Sequence, residues 1–91
     1  MNINKLERVN LLLQAERSED AQELFDKIDP EETVEYLLTK GNIDQKFQRW
    51  GSAINAYNKI LTLDSDNKEA KNSLQFIQNI LNFWNPETFN P

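Results

Sequence analysis

Two stretches of the chain repeat each other. Ala21-Gln22-Glu23-Leu24-Phe25-Asp26-Lys27-Ile28 aligns without a gap on Ala53-Ile54-Asn55-Ala56-Tyr57-Asn58-Lys59-Ile60, and alanine, an aromatic residue, lysine and isoleucine recur in the same order 32 residues apart. A period of that length, with two helices in each unit, is the mark of a stacked helical array. One such unit has too little apolar surface to stand alone, so neighbouring units complete a shared core. The constraint is strong because the chain has 91 residues and no cysteine. It has room for one modest core, with no disulfide framework and no thiolate metal site to reinforce it.

The rest of the sequence agrees with helices throughout. Apolar residues recur three and four apart, and no strand-like alternation is sustained. The first helix is expected over about Asn4 to Ala15, with Leu6, Val9, Leu12 and Leu13 facing inward. Ser18 is expected to cap the second helix, with Glu19 and Asp20 where the helix dipole favours negative charge and Ala21, Leu24, Phe25 and Ile28 on its buried face. Asp29-Pro30-Glu31-Glu32 reads as a stop and restart, with Asp29 capping a third helix that runs from Pro30 to about Gln45. This third helix is apolar on two sides, Val34, Leu37, Leu38 and Gly41 on one and Tyr36, Ile43 and Phe47 on the other, as a helix sandwiched between neighbours must be. A fourth is expected over Trp50 to Leu63, then caps from Asp64-Ser65-Asp66-Asn67 and a fifth helix over Lys68 to Trp84. The fifth carries one stripe of Ala70, Leu74, Ile77, Leu81 and Trp84 beside a second of Phe76, Ile80 and Phe83. Whether that second stripe is core, groove edge or a contact with another copy stays open at this level.

In this framework the chain resembles the tetratricopeptide repeat family. Within residues 34–67, Leu37 fills the large apolar position of the first helix and Gly41 its glycine, while Trp50, Ala53 and Tyr57 follow at the family's spacing, Ala53 standing twelve residues after Gly41. Small residues at these places let two helices approach closely. Ser65 stands where the family closes its repeat with proline, Lys40 precedes the glycine in place of leucine, and Ile60 takes the second small position. The resemblance implies a right-handed α-α superhelix of five helices forming a single domain over residues 1–84. In that arrangement a first hairpin spans about 3–29, a second about 30–64 and a capping helix about 67–84, with an irregular tail over 85–91.

The chemistry of catalysis is not visible. Histidine and cysteine are both absent, which removes the usual bases, nucleophiles and zinc ligands. No glycine-rich phosphate loop occurs. Asp64-Ser65-Asp66 begins like a calcium loop, but Lys68 stands where an oxygen ligand belongs, Glu69 replaces the glycine, and Gln75 replaces the bidentate glutamate. Neither an enzyme nor a cofactor is therefore expected. Ten basic against 15 acidic residues give a net charge of −5, which argues against nucleic acid, because phosphate binding rests on Lys and Arg. The acids concentrate in residues 16–35, nine of them against Arg17 and Lys27. That run reads as a solvated face or as a patch for a basic partner. The apolar run Leu11-Leu12-Leu13 is far too short for a signal-peptide core or a membrane span, so a cytoplasmic protein without membrane contact is expected.

What remains is surface recognition. In the family, the first helices of successive repeats line a concave groove for a peptide or a helix. Carried onto this sequence, the third helix presents Glu35, Leu38, Asn42, Gln45 and Lys46. The fifth helix presents Asn72, Phe76, Asn79 and Ile80. A clamp for a terminal carboxylate is not expected, because Leu38 stands at a clamp-lysine position and Glu69 and Ser73 occupy two more basic positions. The resemblance implies an adaptor that binds another protein as a monomer or weak homodimer. The alternative is an assembly protein that self-associates through the apolar face of its last helix.

Overall fold

The computed structural model describes residues 4–84, with the side chain of Trp84 outside the description. Five helices and no strand occur among the described residues: α1 (Lys5–Gln14), α2 (Ser18–Phe25), α3 (Val34–Lys46), α4 (Trp50–Leu63) and α5 (Lys68–Trp84). The chain is all-α. Residues 85–91, expected as an irregular tail, lie outside the described residues.

Side-chain caps start three of the helices. Asn4 accepts from the Glu7 amide at 2.8 Å, Thr33 from the Tyr36 amide at 3.2 Å, and Asn67 from the Ala70 amide at 2.9 Å. Each satisfies one amide that the first helical turn leaves without a partner. The other two helices start differently. The link between α1 and α2 holds Glu16 at φ 59°, its amide bonding to the Leu13 carbonyl and that of Arg17 to Leu12. The link between α3 and α4 repeats this with Gln48 at φ 59°, its amide on Gln45 and that of Arg49 on Asp44. Both are Schellman turns, and they lie 32 residues apart, so the internal repeat extends from the helices into their connections.

Two expected boundaries are corrected. Ser18 is not a capping side chain but the first residue of α2. Arg17 holds the cap position without a side-chain cap bond, because the Schellman turn has already fixed its backbone. The third helix starts at Val34, not at Pro30, and Thr33 in extended conformation caps it in place of Asp29. Asp29 and Thr33 are both good cap residues, and the local preference for aspartate over threonine is overridden by the burial of Tyr36 and Leu37 in the core. α2 also ends early, at Phe25, and the amides of Lys27 and Ile28 turn back three residues to Leu24 and Phe25.

The helices pack as α1 on α2, α3 on α4 and α4 on α5, with α1 and α2 both resting against α3. One core cluster joins Val9 and Leu13 of α1, Ala21 and Phe25 of α2, Tyr36, Leu37 and Ile43 of α3, Ala53, Tyr57 and Ile60 of α4, and Ala70 and Ile77 of α5. α3 is buried on two sides, as its sequence requires. The Phe25 and Tyr36 rings stack at 4.9 Å between centroids, joining α2 to α3. A β-carbon on Gly41 would lie 2.6 Å from the Tyr57 ring, so glycine is what admits Tyr57 against α3. The molecule is elongated, 51 × 27 × 19 Å. No described helix is long and apolar enough to cross a membrane.

Candidate binding groove

Helices α1 and α3 run in the same direction. Asn10 Nδ2 donates to Thr39 Oγ1 at 3.1 Å, and six residues further along the chain, just past the end of α1, Glu16 meets Lys46 Nζ at 3.3 Å. Between the two helices lies an open cleft of 580 Å³. Its α1 wall includes Leu6, Glu7, Asn10 and Leu13, and its α3 wall includes Glu35, Leu38, Asn42 and Lys46, a stripe with helical spacing. Glu69, from the start of α5, also reaches it.

A second cleft, of 400 Å³, lies between the C-terminal half of α3, the start of α4 and the middle of α5. Asn42, Gln45, Lys46, Trp50, Phe76 and Ile80 line it. Asn42 and Lys46 belong to both clefts, so the two share one wall along α3. Glu69 lies with Glu35, while Phe76 and Ile80 lie with Gln45 and Lys46, which gives α5 the same direction as α3.

Seven of the nine residues expected to face a groove line these two clefts. Asn72 and Asn79 line neither. Both are exposed on α5, and the Asn79 amide oxygen accepts from Gln75 at 3.0 Å. Asn42 and Gln45 are not simply offered to a ligand. The buried Tyr57 hydroxyl donates to Asn42 Oδ1 at 2.7 Å and accepts from Gln45 Nε2 at 2.6 Å. Tyr57 thus holds two groove amides from behind, across the gap that Gly41 leaves open. Burial raises the Tyr57 phenol above its ordinary value of 10.0, against the Gln45 hydrogen bond, which lowers it. Phe76 is 55% exposed, so the fifth helix's second stripe is not covered by α4 at that point. The sequence also offers Phe89 in the tail as cover for this stripe, and Phe89 lies outside the described residues.

The α1 wall of the larger cleft was not expected from the sequence. A usable signal was present: Glu7, Glu35 and Glu69 each occupy the first turn of an odd-numbered helix. Also missed was Asp44, whose side chain is only 7% exposed. Its carboxylate accepts from Lys40 Nζ at 3.0 Å, Ser52 Oγ at 2.6 Å and Arg49 Nε at 2.9 Å. Arg49 passes the network on to Gln22 of α2 and lies over the Phe47 ring at 4.8 Å. Lys40 Nζ donates to both Asp44 Oδ2 and Ser52 Oγ, so the cluster braces α3 against α4. No protein-family model, curated protein or solved structure matches this chain.

Proposed function

We propose that the chain is a protein-binding module built from tetratricopeptide-like hairpins, and that it holds a segment of another protein along the face shared by α1, α3 and α5. One observation carries this reading. The α3 stripe Glu35, Leu38, Asn42 and Lys46, chosen from the sequence, lines the larger cleft, and its Asn42 and Lys46 also line the adjoining one. The paired Schellman turns at Glu16 and Gln48 support the repeat architecture on which the reading rests. The groove offers half-buried Leu38 and Ile80 with the exposed Phe76 ring, which suits apolar anchors, and amides for hydrogen bonding to a backbone.

Peptides selected from a phage-displayed random library test it. Phe76→Ala should weaken the selected peptides by about thirtyfold, near the 2 kcal/mol that marks a hot spot, while circular dichroism keeps the helical spectrum. Lys46→Ala should lose less, because exposed charges contribute little. Selected peptides indifferent to both Phe76→Ala and Leu38→Ala would remove the groove reading. Exposure of Phe76 also favours a second reading, an assembly unit that pairs through α5. Sedimentation across a concentration series separates the two, since only self-pairing gives a dimer that grows with concentration.

A further inference from the structure

We infer that the groove selects a basic segment, with its lysines or arginines at the end formed by the starts of α1, α3 and α5 and its apolar residues at the Phe76 end. The inference rests on the groove reading above and adds the chemistry of the occupant. Four carboxylates, Glu7, Glu16, Glu35 and Glu69, face the larger cleft against the single ammonium of Lys46. Lys46 pairs with Glu16 at the far end, which leaves Glu7, Glu35 and Glu69 with no cation of this chain bridged to them among the described residues.

These three glutamates come from the first turns of three helices that run the same way, so they gather at one end of the groove. A helix start offers about half a positive charge to a nearby anion. Three half charges offset only part of three full ones, and that end stays negative. Among the described residues no group of three acids could hold a metal ion. The other end carries Phe76 and Ile80. Charge and apolar surface are therefore separated along the groove, and this gives a bound segment a direction. An acidic segment would meet the unpaired carboxylates and be repelled.

The test uses the full chain and three fluorescein-labelled peptides of one length: leucine with lysine, leucine with glutamine, and leucine with glutamate. Fluorescence anisotropy should show binding of the lysine peptide, weakening as salt rises, and none of the glutamate peptide. The triple variant Glu7→Gln, Glu35→Gln, Glu69→Gln should weaken the lysine peptide by about tenfold. A control triple variant with the same change in net charge, Glu19→Gln, Glu23→Gln, Asp29→Asn, alters exposed acids outside both clefts and should change binding less than twofold, about the effect of a distant screened charge. Equal losses in the two triple variants would mean attraction to net charge alone and would overturn the inference. Glutamine and lysine peptides bound equally well, both weakened by Phe76→Ala, would overturn it while leaving the groove reading in place. Binding untouched by Phe76→Ala and Leu38→Ala would overturn both.

Discussion

At Gly41 a single methyl group decides how closely α3 and α4 can approach. Alanine in mid-helix normally gains about 0.5–1 kcal/mol over glycine. Here the added carbon would sit 2.6 Å from the Tyr57 ring, and that ring is fully buried with its hydroxyl tied to Asn42 and Gln45. It cannot swing away cheaply. Overpacking costs about 1–3 kcal/mol, so Gly41→Ala should destabilise by about 1–2 kcal/mol in urea unfolding. Gly51→Ala is the matched control: nothing lies within 4 Å of its added carbon, and it should stabilise by about 0.5 kcal/mol. Tyr57 itself links stability to alkaline pH. Its pKa is raised in the folded state, foremost by burial, so its contribution is complete below the unfolded value of about 10 and is lost as pH rises through the folded value. Tyr57→Phe should cost about 1 kcal/mol at neutral pH through lost hydrogen bonds. Chemical denaturation repeated upward from pH 9 should show that gap narrowing.

The helices themselves were largely legible. α4 and α5 begin and end where the apolar period and the Asp64-Ser65-Asp66-Asn67 caps place them, and α1 misses by a residue at each end. Legibility failed where two local solutions compete. Asp29 with Pro30, and Thr33 with a following glutamate, are both sound helix starts, and only the packing of Tyr36 on Phe25 and of Leu37 in the core favours the later one. The Schellman turns were invisible for a different reason, since glutamate and glutamine are poor residues for positive φ and glycine is the usual signal. That choice leaves strain in the connections. An ordinary residue in the left-handed region costs about 1–2 kcal/mol, part of which glycine loses again through its freer unfolded chain. Gln48→Gly should therefore stabilise the protein by about 0.5–1 kcal/mol, read as a higher melting temperature, whereas Gln48→Ala should not. A glycine variant that melts lower than the parent would show that the Gln48 side chain contributes more than its backbone costs.

For the molecule as a whole, the question is what makes two short hairpins and a lone helix unfold together. The cleft-lining residues of α3 and α5 were reached by carrying the tetratricopeptide resemblance onto the sequence. It placed Glu35, Leu38, Asn42, Gln45, Lys46, Phe76 and Ile80 at the clefts but also named Asn72 and Asn79, which line neither. The cross-links between hairpins were not legible in this way, because they join residues far apart in sequence. Of these, the Asp44 cluster reaches furthest, gathering Lys40 of α3 and Ser52 of α4 and, through Arg49, Gln22 of α2. Removing a buried carboxylate strands its cationic partners, a change that costs about 3–5 kcal/mol when all are buried. Lys40 and Arg49 remain 38% and 45% exposed, so water compensates part of the loss and Asp44→Ala should cost about 1–3 kcal/mol. The loss should also be uneven. Arg49 freed from Asp44 no longer aligns with Gln22, while the α3–α4 contact keeps Gly41 against Tyr57 and its apolar core. In a stack where each unit touches only its neighbours, weakening one junction lets the shorter side open first. Native-state hydrogen exchange on Asp44→Ala should then show amides of α1 and α2 speeding up more than those of α3 and α4. A uniform acceleration across all five helices would mean that the cluster stabilises the fold without joining its halves.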